Sequence, residues 1–271
     1  MALDEVAARG LVLLGCGKMG SALLRGWLDR GLPPGAVHVI EPRPSEWLQG
    51  TGVALNVPLP EAPAVALVAV KPQMMGEALP AMTSLGGGRT LVVSIAAGTP
   101  LRAFEAAFGA GTPVVRAMPN TPAAVGKGIT AIIGNAEASE AHLALAESLL
   151  SAVGEVVRLE SEGQLDAVTG VSGSGPAYVF HLIEALAAAG EAEGLAPELS
   201  LRLARTTVAG AGALAQETGT DPAQLRRDVT SPNGTTQAGL GVLMDEQVGL
   251  GQLIRRTVRA AAARSEELGR G

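Results

Sequence analysis

The chain has 271 residues, of which 20 are basic and 26 acidic, and its formal net charge is −6. Hydrophobic residues make up 47% and charged residues 17%, enough apolar material for a large core and for two domains of ordinary size. Aromatic residues are only 2% and no block of Lys or Arg is present, which argues against nucleic-acid binding through base stacking or a basic surface.

The first predicted element is a strand, residues 11–14, followed by Gly15-Cys-Gly-Lys-Met-Gly20 and a helical stretch, residues 21–28. Strand, GxGxxG and helix in this order are typical of a dinucleotide-binding loop. The first glycine makes the tight turn, the second lets the backbone approach a pyrophosphate, and the third lets the helix pack on the strand. The predicted cofactor-binding residues of this loop are Gly15, Cys16, Gly17, Lys18, Met19 and Gly20.

A second predicted strand, residues 36–40, ends at Glu41, twenty-one residues after Gly20. An acidic residue at this spacing commonly binds the adenosine ribose hydroxyls, which favours NAD; the alternative is a solvated residue at a strand end. Arg43 follows two residues later and can bind a ribose 2′-phosphate, which favours NADP. The residues alone leave the choice between NADP and NAD open.

Strands and helices then alternate as far as residue 158. Further strands are predicted at 64–70, 90–95, 113–118, 129–133 and 155–158, and helices at 76–85, 101–108 and 139–150. This alternation predicts a mostly parallel, doubly wound sheet, in which ligands bind beyond the carboxyl ends of the strands. Lys71, Ala97 and the turn at 119–122 lie at such ends, although each also fits an ordinary loop.

Strand patterns vanish after residue 160. Helices rich in Ala and Leu are predicted at 164–171, 176–194, 197–217, 222–228 and from 237 onward. The chain is therefore predicted to combine an α/β Rossmann-like, doubly wound N-terminal domain (1–160) with an all-α C-terminal domain (161–271). Few charges occur at 185–189 and 208–214, which favours helices packed against a second subunit; the alternative is an intramolecular bundle.

A loop with small hydroxyl residues precedes the last helical region. Pro232 ends the preceding helix, Asn233-Gly234 tolerates positive φ, and helical spacing begins at about Thr236. The Ser231, Thr235 and Thr236 hydroxyls therefore lie at a helix N-terminus, where free N–H groups and the helix dipole favour an anion. The loop predicts a receptor for a small carboxylate or phosphate, with an ordinary helix cap as the alternative.

The single cysteine, Cys16, excludes an internal disulfide and predicts a reducing, cytoplasmic setting. The first ten residues lack the basic region of a signal peptide. The most apolar helical run, 177–189, is too short to span a bilayer and is interrupted by His181 and Glu184, so no membrane association is expected. The three histidines are scattered without the spacing of metal ligands, so no metal site is predicted.

Five segments, which together span nearly the whole chain, resemble pyrroline-5-carboxylate reductase. They are Ala69-Val-Lys-Pro72, Ile95-Ala-Ala-Gly98, Met118-Pro-Asn-Thr-Pro122, Val171-Ser-Gly-Ser-Gly-Pro-Ala-Tyr178 and residues 231–245, the last being the most specific signature. The resemblance implies an oxidoreductase that uses NADP or NAD to reduce 1-pyrroline-5-carboxylate to L-proline, with hydride going to the imine carbon. This is the last step of proline biosynthesis.

The resemblance also implies partners and site residues. The helical domain would interlock with that of a second copy, the active site would be shared in the homodimer, and dimers often assemble into rings. Besides the glycine loop, the implied cofactor contacts are Val70, Lys71 and Ala97. The implied substrate-binding residues are Ser231, Gly234, Thr235, Thr236 and Glu162. Thr236 is the implied catalytic residue, because its hydroxyl would lie nearest the ring nitrogen.

The chain departs from the family pattern at three places. Asn233 stands where the family commonly has Gly, and Arg43 stands where it often has Ser. A family Asn on the adenosine side has no clear counterpart in residues 56–60. The second departure keeps the cofactor preference open.

The predicted site suits reduction of an imine. A cyclic iminium is already electrophilic, so it needs a carboxylate anchor, an aligned nicotinamide and a polar partner for the nitrogen, but no strong base. Three alternatives remain. One is a hydroxyacid dehydrogenase of the same fold, which would normally use a Lys or His in the helical half, where no Lys follows Lys127. The others are a reductase for another ring size and an inactive dinucleotide sensor.

Overall fold

The computed structural model describes residues 2–270 and divides them into two compact units. The first unit consists of two segments, the residues up to Gly173 and those from Ala261 onward. The second unit is Ser174–Ala260. The last strand ends at Arg158, next to the predicted boundary after residue 160, and the first unit continues beyond it.

Eight strands of the first unit form one sheet. They are β1 (Leu11–Leu14), β2 (Val37–Ile40), β3 (Ala54–Leu55), β4 (Val65–Val68), β5 (Leu91–Ser94), β6 (Val114–Met118), β7 (Gly128–Gly134) and β8 (Gly154–Arg158). Their order is β3-β2-β1-β4-β5-β6-β7-β8, and every neighbouring pair is parallel except β6 and β7. The order in which successive strands are added reverses between β1 and β4, which is the switch point at which dinucleotides bind in such sheets. The predicted doubly wound fold is confirmed.

Helices cover both faces of this sheet. They are α1 (Ala2–Arg9), α2 (Lys18–Asp29), α3 (Glu46–Gln49), α4 (Met75–Ala78), α5 (Leu101–Phe108), α6 (Glu140–Leu150) and α7 (Gln164–Val168). Alternate side chains of β1 point to opposite faces, so Leu13 packs with Trp27 of α2 in one core and Val12 with Phe104 of α5 in the other. The buried Trp27 indole N–H donates to the Leu149 carbonyl at 2.9 Å, which joins α2 to α6.

The second unit consists of helices. They are α8 (Gly175–Ala192), α9 (Pro197–Thr218), α10 (Pro222–Asp228), α11 (Thr235–Leu243) and the first turns of α12 (Leu250–Arg270), whose last turns belong to the first unit. Large apolar side chains remain exposed on α8 and α9, among them Phe180 at 59% and Leu203 at 49%. A patch of this kind is typical of a surface that another chain covers. Among the described residues, no helix combines the length and apolar character needed to cross a membrane.

Three segments differ from the predicted elements. Residues 76–85 form α4 and two 3₁₀ turns in place of one helix, because Pro80 lacks an N–H and disfavours helical geometry before it. Residues 164–171 form α7 followed by a π-helical turn, Thr169–Gly173. The helix predicted from 237 onward is two helices, separated where Asp245 accepts hydrogen bonds from the N–H groups of Gln247 and Val248.

Candidate active site

The glycine loop between β1 and α2 has the geometry of a tight dinucleotide turn. Gly15 has φ +88, and a side chain there would lie 2.9 Å from Val70. A Cβ on Gly20 would lie 2.4 Å from the Gly15 carbonyl oxygen, so only glycine lets α2 approach this closely. A Cβ on Gly17 would meet no atom within 4 Å, which leaves the outer side of the loop open to a ligand.

A cleft of about 510 Å³ adjoins this loop at the carboxyl ends of β1, β2 and β4. The predicted cofactor residues that line it are Gly15, Cys16, Gly17, Glu41, Arg43, Val70 and Lys71. Its remaining wall includes Ile40, Pro42, Ser45, Met74, Glu77 and Ala81. The cleft therefore brings together the residues predicted from the loop, from the end of the second strand and from the Ala-Val-Lys-Pro segment.

Four predicted cofactor residues lie outside the lining of this cleft. Lys18 is the exposed first residue of α2, Met19 is half-buried against the core, and Gly20 is buried under the loop. Ala97 lies in the turn after β5, two strands away from β1 in the sheet. The first three support the loop or flank it, and Ala97 belongs to a different part of the same sheet edge.

Glu41 connects the end of β2 to the glycine loop. Its Oε2 accepts a hydrogen bond from the Cys16 backbone N–H at 2.8 Å, and its Oε1 accepts one from the Arg43 N–H at 3.1 Å. Burial, with a smaller contribution from the Glu41 charge, raises the pKa of the Cys16 thiol to about 11. Cys16 is therefore a neutral thiol at physiological pH, and its backbone rather than its sulfur serves the loop.

Asn56 is a residue of this region that the sequence analysis did not assign. It follows β3 at φ +52, where its Oδ1 accepts from the Glu41 N–H and its Nδ2 donates to the Glu41 carbonyl, both at 2.9 Å. These two bonds fix the Glu41 backbone. The signal in the sequence was an Asn, a residue that tolerates positive φ, directly after a short apolar pair.

Arg43 lies exposed at the edge of the cleft. Within the described chain, its guanidinium forms no hydrogen bond or ion pair. The group is therefore free to pair with an anionic ligand such as a ribose 2′-phosphate.

The predicted anion loop belongs to the second unit. Gly234 is the N-cap of α11, and the helix receives no hydrogen bond from a capping side chain. Asn233 has φ +59, and the Gly234 N–H donates to the Ser231 carbonyl at 3.0 Å. The exposed hydroxyls of Ser231, Thr235 and Thr236 make no hydrogen bond to other described residues. They and the free N–H groups of the first helical turn remain available to an anion.

Glu162 lies in the first unit and has protein partners. Its Oε1 accepts from the Leu101 N–H at 2.7 Å and is ion-paired with the Arg116 guanidinium. Among residues 2–270, no group of three His, Cys, Asp or Glu side chains is arranged to hold a metal ion.

Relatives of one family match nearly the whole chain, and two family models match parts of it. Residues 162–268 match the model described as pyrroline-5-carboxylate reductase dimerisation, and residues 10–98 match NADP oxidoreductase coenzyme F420-dependent. The pyrroline-5-carboxylate reductase of Pseudomonas aeruginosa is 40% identical over 264 residues, which are 95% of this chain and 96% of that protein.

Two solved structures agree with this match. A pyrroline-5-carboxylate reductase from Coxiella burnetii superposes with a TM-score of 0.88 at 32% identity, covering 96% of this chain and 98% of the other. Plasmodium falciparum pyrroline carboxylate reductase with NADP bound gives a TM-score of 0.82 at 27% identity, with the same coverage of 96% and 98%.

Proposed function

The chain belongs to the pyrroline-5-carboxylate reductase family, and we propose that it reduces 1-pyrroline-5-carboxylate to L-proline with NADPH or NADH, the last step of proline biosynthesis. The observation that carries this proposal is the open N-terminus of α11, whose three unpaired hydroxyls suit a small anion in a chain that also has a dinucleotide loop. A dinucleotide sensor would have no use for this second anion site.

The first unit fits a nicotinamide dinucleotide. The open side of Gly17 lets the loop N–H groups approach a pyrophosphate. Glu41 and Arg43 both line the cleft, which supports the proposal that Glu41 accepts from ribose hydroxyls and that Arg43 pairs with the 2′-phosphate of NADP. When bound, the reduced cofactor supplies the hydride that goes to the imine carbon.

The loop at 231–236 is proposed to hold the substrate. N–H groups of Thr235 and Thr236 replace the water around its carboxylate, whereas the Gly234 N–H is already bonded to the Ser231 carbonyl. The Thr236 hydroxyl accepts from the protonated ring nitrogen and orients the ring, and Ser231 and Thr235 supply further polar contacts. A threonine hydroxyl has too high a pKa to be a free base, so Thr236 orients and hydrogen-bonds its substrate. Glu162 stays a prediction for the substrate side, and its contacts with Leu101 and Arg116 favour another role.

The functional unit is a homodimer, as the dimerisation match over residues 162–268 and the exposed apolar faces of α8 and α9 indicate. We propose that the two copies share each active site and that dimers assemble into rings. We also propose a cytoplasmic location, because a reducing compartment suits the single thiol of Cys16.

The deciding assay follows the absorbance of NADPH or NADH with pyrroline-5-carboxylate, beside a six-membered cyclic imine. We expect fast oxidation with the five-membered ring and formation of proline. Faster turnover of the six-membered imine would show that the larger ring is the preferred substrate. Oxidation of a 2-hydroxy acid with NADP⁺ or NAD⁺ would favour the dehydrogenase, and cofactor binding without turnover of any of these would favour the sensor.

A further inference from the structure

We propose that Glu162 is a positioning residue that holds the turn at residues 95–100, here called the Ala97 turn, against the nicotinamide half of the cofactor. This proposal rests on the proposed function, because the turn matters only if a dinucleotide crosses the sheet edge. It gives Glu162 a role different from the substrate contact that the family resemblance implies.

The Ala97 turn lies where the nicotinamide half is expected. The adenosine end is marked by Glu41 at the end of β2, and the pyrophosphate by the loop after β1. The sheet continues through β4 to β5, so the turn after β5 lies about 10 Å beyond the loop at the usual strand spacing. Gly98 has φ +71, and the Ala96 N–H donates to the buried Ser94 hydroxyl at 3.2 Å, which shapes the turn from within.

Glu162 fastens the far end of this turn. The helix that follows, α5, has Pro100 as its N-cap and so receives no hydrogen bond from its own cap residue. Glu162 supplies the missing acceptor, at 2.7 Å from the Leu101 N–H, and places a negative charge at the positive end of the helix. The same oxygen is paired with Arg116 on β6, whose side chain is only 12% exposed. One carboxylate thus joins the turn to a neighbouring strand.

The end of α12 encloses the turn as well. A Cβ on Gly98 would lie 3.1 Å from the Leu268 Cβ, and Arg102 donates to the Gly269 carbonyl at 3.2 Å. The Ser265 hydroxyl donates to Asp166 of α7 at 2.7 Å, which ties the last turns of α12 to the helix that starts two residues after Glu162. The Ala97 turn is therefore confined by α5 and by the end of α12. Glu162 contacts the first of these helices, and Asp166 contacts the second.

The same contacts argue against a substrate carboxylate beside Glu162. The substrate carries a negative charge, and like charges close together repel each other. Arg116, which could otherwise attract an anion, is already paired with Glu162. The proposed anion site is at the α11 N-terminus, whose first turn contains no acidic residue.

The test compares Glu162→Ala and Glu162→Gln with Glu160→Gln, a control at a nearby exposed glutamate whose side chain makes no hydrogen bond in the described chain. The dissociation constant of NADPH is measured by fluorescence titration without substrate, and KM for pyrroline-5-carboxylate at saturating NADPH. We expect Glu162→Ala to raise the NADPH constant about 10-fold, as loss of a charged hydrogen bond would, and to leave KM within about twofold. Glu162→Gln, whose amide oxygen can still accept from Leu101, should lie between Ala and wild type.

A raised KM with an unchanged NADPH constant would overturn the proposal and make Glu162 a substrate ligand. If Glu162→Ala changed neither the NADPH dissociation constant nor KM, the proposal would also be overturned. If Glu162→Ala does not fold, as its thermal midpoint would reveal, the Gln variant decides by the same two constants. Failure of the proposed function is a separate result, in which wild type would bind NADPH yet leave pyrroline-5-carboxylate unreduced. The NADPH dissociation constants of the variants would then still test the role of Glu162.

Discussion

The Glu41 carboxylate accepts a hydrogen bond from the Cys16 backbone N–H, with Oε2 2.8 Å from the nitrogen. The bond joins the end of β2 to the glycine loop, 25 residues earlier in the chain. It also places a negative charge beside the only thiol of the protein, whose pKa is raised to about 11 by burial and by that charge.

We therefore predict that Cys16 reacts slowly with iodoacetamide at pH 8 and faster as the pH rises toward 11, because only the thiolate is nucleophilic. Glu41→Gln removes the charge, lowers the pKa and should accelerate labelling at pH 8. Mass spectrometry over time measures the rate without ambiguity, since no second cysteine exists. Glu46→Gln on α3 is the control, and equal rates for Glu41→Gln and wild type would contradict the prediction.

The loop glycines should separate binding from folding. Gly17→Val places a side chain in open space, so the thermal midpoint should hold while NADPH affinity collapses. Gly20→Ala instead forces a Cβ to 2.4 Å from the Gly15 carbonyl and should lower the midpoint. Scanning calorimetry and NADPH titration on both variants check this. Normal NADPH affinity in Gly17→Val would show that the glycine loop does not contact the cofactor.

Arg43 should decide the preference between the two cofactors. Arg43→Ala removes a free guanidinium at the cleft edge and should weaken NADPH binding by about 1.5–3 kcal/mol, the value of a charged hydrogen bond, with little effect on NADH. Dissociation constants of both cofactors measure the difference. Equal losses for NADPH and NADH would show that Arg43 does not contact a 2′-phosphate.

Thr236 is predicted to contribute one hydrogen bond in the transition state. Thr236→Val keeps the shape of the side chain and should lower kcat/KM for pyrroline-5-carboxylate about 10–100-fold, whereas Thr236→Ser keeps the hydroxyl and should lose much less. NADPH affinity should hardly change, because the glycine loop belongs to the other unit. Wild-type kcat/KM in the Val variant would leave Thr236 without a catalytic role.

Local sequence patterns predicted the buried strands and the glycine loop well. Short apolar runs mark the buried strands, and Gly15-Cys-Gly-Lys-Met-Gly20 marks the loop, because both depend on neighbouring residues. The antiparallel direction of β7 depends instead on how the chain turns after Met118, which is set by tertiary packing. The short helix Ala2–Arg9 went unpredicted, although Asp4 and Glu5 in its first turn and Arg9-Gly10 at its end are local helix signals.

The contacts of individual site residues were harder to predict for the same reason. Asn56 meets Glu41 across 15 residues, and Glu162 meets Leu101 across 61. No local spacing encodes such pairs. Family resemblance supplied residue identities for the loop at 231–236, but it carried no information about the partners that this chain gives to Glu162.

The return of α12 to the first unit has a consequence for synthesis of the protein. Ribosomes add roughly 5–20 residues per second, so Ser174–Ala260 delays completion of the first unit by on the order of ten seconds. During that interval the strands can pair, but Leu268 and Gly269 are not yet there to close over Gly98. The glycine loop can therefore form early, whereas the Ala97 turn is completed only after Leu268 and Gly269 have been made, and a product truncated before Leu268 would lack the finished turn.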